Sequence, residues 1–394
     1  LASSRVGERH DVLDGILGLL LTGGATVTRK IALGITSTAI GFAVAGAWLL
    51  TATASARQAQ PAPAPSQGYE LNDSHLHLTN YIQEGTDIHD FLKVMGNRVG
   101  RVALFGIPLQ QMWDKGNTGD YAPTYYLQSD APLYYYSFTD AYIAMAYRSL
   151  TPAERARFDP MITGFNPADM YAADHIKRVL LTFPGVFSGI GEFTIHKEFV
   201  SAKIAGKTAS LLDPALDRIL DFTAETGLVA ILHNDIDMPF PKPGQDPWVV
   251  AQFRDLMLRH RDSVVIWAHA GVGRIVHPVK DQLAMMERGL ANPQMKNFYI
   301  DISWTELAKY IVATPETIAA TADLINRYPD RFIFGTDEVA PTNQGAYLKI
   351  YDMYQPMLAR LTPDARQKVL KGNYERIFDQ ARVKVRAWER AHAK

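Results

Sequence analysis

Cysteine is absent from all 394 residues, which excludes disulfides, Cys-based zinc fingers, thiol nucleophiles and lipid anchors on sulfur. Any bound metal must then be held by His, Asp or Glu. The missing thiols do not fix a compartment, because Cys-free chains occur in both oxidising and reducing ones. A surplus of either charge is lacking too: 40 Lys plus Arg stand against 41 Asp plus Glu. No net field therefore draws the chain toward nucleic acid or anionic lipid. With 47% hydrophobic and 21% charged residues, the chain has the profile of a globular protein. Its length accommodates several small domains or one large α/β barrel of about 250 residues or more.

The N-terminal part has a different composition. Arg29 and Lys30 precede an uncharged, mostly apolar run from Ile31 to Leu50, and TATASA follows, ending in Ala54-Ser55-Ala56. That order matches the charged region, apolar region and small-residue cleavage site of a secretory signal peptide over residues 29–56. The alternative is an uncleaved membrane anchor, since about 20 apolar residues suffice to cross a bilayer. The expected location is accordingly outside the cytosol, in the periplasm, with the membrane as partner only if residues 31–50 are retained. Residues 1–28 are an unusual preface to such a segment and suggest a start site placed too far upstream. RQAQPAPAPSQG, residues 57–68, reads as an extended, solvated Pro/Ala linker with nothing to bury. The folded domain is expected over residues 69–394.

From residue 71 onward, short runs rich in Val, Ile and Phe alternate with longer segments of helical period, the signature of βα units around a parallel sheet. Eight such runs occur: 71–78, 101–108, 160–167, 186–193, 228–235, 263–270, 297–304 and 331–338. Helices are expected over 88–99, 168–183, 213–226, 247–260, 279–291, 314–328 and 346–361. Asp213-Pro214 and Thr314-Pro315 supply start signals. The stretch 109–159 is too long for a simple connection, and is expected to carry a helix at 137–149 and a tyrosine cluster (Tyr125, Tyr126, Tyr134, Tyr135, Tyr136) in a lid or an interface. No repeat of about 20 to 50 residues is evident, so the fold class expected is α/β, a (β/α)₈ TIM barrel.

Five of the eight runs end in an ionisable group: His75 and His77, Glu192, His233, His269 and Asp337. Barrel enzymes carry their chemistry at C-terminal strand ends. Residues i and i+2 of a strand share a face, so His75 and His77 can grip one ion. Taken singly, each has a plainer explanation: a strand-end His is commonly a hydrogen-bonded structural residue, Glu192 could pair with a lysine, and Asp337 could cap a helix. Recurrence at matching positions favours a metal site, because unpaired ionisable groups are costly at buried strand ends. His89 and His260 lie in helical stretches and read as solvated or structural. His196 and His277 are expected to stay out of the site.

The order H-x-H, Glu on the fourth strand, His on the fifth and sixth and Asp on the eighth resembles the amidohydrolase superfamily. WAHAGVGR (267–274), FGTDE (334–338) and GNYERIF (372–378) resemble its amidohydrolase-related branch, which includes aminocarboxymuconate semialdehyde decarboxylase. The resemblance spans roughly residues 71–380. It implies that His75, His77, His233 and Asp337 hold a divalent ion, usually Zn²⁺, and that His269 faces the substrate. The strand-four position has Glu192 in place of a bridging lysine, which leaves the number of ions at one or two.

Catalytic roles are expected for Asp337 as proton acceptor and for His269. Arg274 is a candidate anchor for a substrate carboxylate, and Trp304 and Asp301 are candidates to line the pocket. Hydrolysis of a C–N or C–O bond in a small molecule is the leading expectation, decarboxylation of a small carboxylic acid the second, and an inactive metal- or solute-binding barrel the third. A homo-oligomer is compatible with the sequence.

Overall fold

The computed structural model describes residues 68–240 and 247–393. The expected N-terminal extension (1–28), targeting segment (29–56) and linker (57–68) therefore lie outside the described residues, apart from Gly68. Among the described residues no helix is long and apolar enough to cross a membrane.

The apolar runs form parallel strands whose two faces are both covered, which explains their near-continuous hydrophobicity. They are β1 (Leu71–His77), β2 (Val99–Phe105), β3 (Phe158–Ile162), β4 (Gly189–His196), β5 (Val229–Asn234), β6 (Val264–Trp267) and β7 (Phe298–Asp301). The eighth run is interrupted: β8 (Phe332–Ile333) and β9 (Glu338–Val339) flank four residues outside regular strand. Sheet order is β8-β7-β6-β5-β4-β3-β2-β1-β9, so both ends of the sheet belong to one segment. That segment joins the two edges. Ile302 N–H donates to Ile333 O (3.0 Å) on one side, while Ser74 N–H donates to Phe334 O (3.0 Å) on the other and Asp337 N–H donates to His75 O (2.7 Å). The result is a curled parallel sheet ringed by helices, consistent with a TIM barrel.

The helices of eight residues or more are α1 (Ile88–Met95), α2 (Phe138–Ser149), α3 (Ala172–Thr182), α4 (Pro214–Thr226), α5 (Trp248–Arg259), α6 (Gln282–Leu290) and α7 (Pro315–Arg327), followed by α8 (Asn373–His392). Proline opens α4 and α7, and the Thr314 hydroxyl accepts from Thr317 N–H at the start of α7. Two expectations need correction. The helix expected over 346–361 is instead three short pieces, Gln344–Tyr347, Lys349–Met353 and Gln355–Leu358; Pro356 has no N–H to continue a helical ladder. The sequence reading also passed over α8. Its Tyr374, Ile377, Phe378 and Ala381 pack against Ala103, Met161, Val229, Ile231 and Ile266 inside the sheet. The Tyr374 hydroxyl donates to Asp159 Oδ2 at 2.8 Å, near the N-terminal ends of β2 and β3. The barrel floor is thus a helix, and the chemistry is left to the opposite mouth.

The 109–159 excursion contains an antiparallel pair, Leu109–Gln111 with Leu133–Tyr135. Tyr126, Leu109 and Leu133 form a small core with Tyr81, Val200 and Ile204 beside the mouth. The tyrosine cluster divides: Tyr126 is fully buried, whereas Tyr134 is exposed.

Candidate metal centre

β1 turns His75 and His77 to one face, as two residues in an extended strand must be, and both are buried. Their ring orientations are fixed from behind. His75 Nδ1 donates to Asp301 Oδ2 (2.7 Å) and His77 Nδ1 to Gly106 O (3.0 Å). In the neutral ring the other nitrogen is then an acceptor. Both Nε2 atoms stand 3.2 Å from Asp337 Oδ1, and that of His77 stands 3.4 Å from Glu192 Oε2. Lone pairs therefore face lone pairs, an arrangement that calls for a cation between them.

His269 follows the same logic. The Ser303 hydroxyl donates to Asp301 Oδ1 and accepts from His269 Nδ1 at 2.7 Å. His269 Nε2 is thus left as an acceptor, 3.5 Å from Glu192 Oε1 and 3.7 Å from Asp337 Oδ2. Neither His75 Nε2 nor His269 Nε2, both buried, has a hydrogen-bond partner, although buried polar atoms in folded proteins are rarely left so.

The carboxylates also set the charge on the rings. Burial opposes charge on His75, but the Asp301 and Asp337 carboxylates outweigh it and raise its pKa well above the ordinary imidazole value. Burial pushes the Asp337 pKa up, yet His269 and His75 hold it well below the usual carboxylate range. In His269 burial prevails and lowers the pKa, favouring the neutral ring. Glu192 also faces a buried ammonium, that of Lys197, whose Nζ lies 3.5 Å from Glu192 Oε1.

His75, His77, Glu192 and Asp337 can offer ligand atoms to one ion, and Glu192, His233 and His269 form a second group sharing Glu192. His233 meets the cluster through Glu192 and His269. Its Nδ1 is 2.5 Å from Glu192 Oε1 and its Nε2 2.8 Å from Asp235 Oδ1. The donor set, nitrogen and carboxylate oxygen without sulfur, suits Zn²⁺ or a similar divalent ion.

The local backbone serves this convergence. His269, Trp304 and Asp337, each at a strand exit, have φ of 52°, 72° and 53°, a region costly for residues with a Cβ. Gly335 lets the eighth segment pass close to β1; a Cβ there would stand 2.8 Å from that of His75.

Above the carboxylates, Trp304 has Lys197 Nζ 5.6 Å from its ring centre and the Arg274 guanidinium also at 5.6 Å. Arg274 donates to the Tyr125 hydroxyl and lies 3.7 Å from Glu306 Oε1. Arg274 and Trp304 are thus neighbours at the mouth, and Asp301 sits behind the metal-facing histidines rather than on the pocket wall. The other histidines lie elsewhere: His260 bonds Asp217 and Asp221, His89 is exposed on α1, His196 packs on Trp248 and His277 on Tyr310. Sequence reading missed Lys197, Ser303 and Asp235. Lys197, five residues past Glu192, had carried a signal: it is a lysine in the loop leaving a strand that ends in a carboxylate.

A family model described as amidohydrolase matches residues 73–380. No curated protein matches the chain. Similar solved structures include an uncharacterised TIM-barrel protein from Bordetella bronchiseptica (15% identity, 79% of this chain and 99% of that one, TM-score 0.49). Others are 2,6-dihydroxybenzoate decarboxylase from Rhizobium (14%, 79% and 99%, 0.47) and dihydroorotase from Campylobacter jejuni (12%, 79% and 83%, 0.44).

Proposed function

Because the chain belongs to the amidohydrolase family, we propose that it is a metal-dependent hydrolase cleaving a C–N or C–O bond of a small molecule, with His75, His77, Glu192 and Asp337 as the principal ligands. The observation that carries this reading is the position of Asp337, with Oδ1 3.2 Å from both metal-facing Nε2 atoms and Oδ2 turned toward His269. A divalent ion held by these residues would supply the charge to polarise a carbonyl and acidify water. Asp337 then accepts the proton of the attacking water and passes it to the leaving nitrogen or oxygen. His269, with Nδ1 engaged by Ser303, offers Nε2 as a second proton acceptor. Trp304 and the tyrosines of the excursion limit access of bulk water.

Decarboxylation of a small carboxylic acid is the second reading, favoured by the cations Lys197 and Arg274 around Trp304. The zinc-loaded protein should be assayed on lactones, esters and amides for acid release, and on small carboxylic acids for CO₂. Turnover of the first set, lost in His269→Ala with the ion of the principal site retained, is expected. CO₂ release without hydrolysis would replace the first reading by the second. In the same proposal the enzyme works outside the cytosol, on the support of Ile31–Leu50 and Ala54-Ser55-Ala56.

A further inference from the structure

Lys197 is a buried cation to which the hydrolytic steps above give no role. It lies in the loop leaving β4, its side chain is 10% exposed, and its closest anionic contact among the described residues is Glu192 Oε1 at 3.5 Å. That oxygen already lies 2.5 Å from His233 Nδ1, so the ammonium is held by charge rather than by a close hydrogen bond. A buried lysine is costly to keep without a close partner. Glu192 is also one of the groups that converge on the metal position, and an ion there would take up its negative charge. The ammonium would then face the mouth with its charge unspent.

The surroundings define what it could receive. Trp304 has both Lys197 and Arg274 over its ring, and Arg274 is kept at the mouth by Tyr125 and Glu306. Tyr81, buried, belongs to the adjoining wall. Two cations beside an aromatic surface, next to carboxylates that would repel any anion not bound through a cation, suit a ligand bearing a carboxylate next to an apolar or flat body.

We propose that Lys197 is the residue of this chain that selects a carboxylate-bearing substrate, holding the carboxylate beside Trp304 with Arg274 as the second cation. This rests on the reading of the cluster as a metal-dependent catalytic centre, and it applies whether the bond cleaved is C–N, C–O or C–C. Lys197 binds and orients; the proton transfers remain with Asp337 and His269.

The test is binding of benzoate and of benzamide, which share shape and differ in charge, to the zinc-loaded protein by calorimetry, with zinc content measured alongside. Wild type is expected to prefer benzoate by about tenfold or more, the scale of one charge-assisted contact. Lys197→Met should erase that preference with zinc and benzamide binding unchanged, and Lys197→Arg should retain most of it. No preference in wild type, an unchanged preference in Lys197→Met, or equal loss of both ligands or of zinc in both variants would overturn the assignment. Because no turnover is read, failure of the hydrolase reading would appear separately, as discrimination without reaction.

Discussion

His75 Nδ1 lies 2.7 Å from Asp301 Oδ2, with neither side chain exposed to solvent. The pair sets which nitrogen of His75 is free, so a residue that touches no substrate governs the metal-facing atom. Such outer carboxylates typically contribute about 10- to 100-fold in metal affinity. Asp301→Asn should therefore weaken zinc binding by about that factor while leaving the fold intact, as read by competition with a chelator. An unchanged affinity would show that Gly106, Ser303 and packing suffice to orient the rings.

The two ligand groups that share Glu192 predict an order of effects. His77→Ala should empty the principal site, whereas His233→Ala should lower metal content less, because both ring nitrogens of His233 are engaged, by Glu192 and by Asp235. Elemental analysis of both variants checks this. Two equivalents of zinc in wild type falling to one in His233→Ala would identify Glu192 as a bridge, and the reverse order of losses would place His233 in the principal site.

Glu198 ties three segments together: Oε2 accepts from the Tyr126 hydroxyl (2.5 Å), Oε1 from Ile275 N–H (2.7 Å), and its own N–H donates to Asp235 Oδ2 (2.6 Å). Removing it should loosen the tyrosine wall more than the metal ligands. In Glu198→Ala the leading effect should be a rise in KM, with zinc content retained and stability lowered by about 1–3 kcal/mol. A fall in kcat alone would assign Glu198 to the chemistry instead.

Asp140, fully enclosed at the start of α2, is pushed up to about 7 by burial, against the backbone N–H groups of Thr163 and Gly164. Its unfolded value is near 4. Between those two values the unfolded chain has lost the proton and the folded one keeps it, so stability falls as pH rises from about 4 to about 7 and levels off above. Thermal unfolding across that range should show the decline, and Asp140→Asn should flatten it. An Asn variant with the same slope as wild type would place the titrating group elsewhere.

Much of the barrel was legible because buried parallel strands are written as continuous apolar runs: 71–78 became Leu71–His77, and 228–235 became Val229–Asn234. The eighth run misled in detail. Phe332, Ile333 and Phe334 make the run read as strand, yet Asp337 at φ 53° leaves the extended region, and the segment is held by β1 on one side and by Ile302, Trp304 and Val369 on the other. The ionisable strand ends could be found by period and position, since i, i+2 spacing is local. Pairings such as His75 with Asp301, across 226 residues, depend on closure of the sheet, and no local pattern encodes them. Lys197 escaped notice for a related reason: a loop lysine reads as solvated until the tyrosine wall is folded over it.

The floor formed by α8 bears on how the protein is made. Tyr374, Ile377 and Phe378 fill the inside of the sheet, yet they leave the ribosome only after all eight strand segments have emerged. Until then the interior faces of β2, β3, β5 and β6 lack their covering, and the ring has no packed centre against which to settle. Stable closure, and with it the alignment of His75, His77 and Asp337, must await the emergence of α8. A chain stalled just short of Asn373 would present every ligand on a scaffold unable to keep them in register.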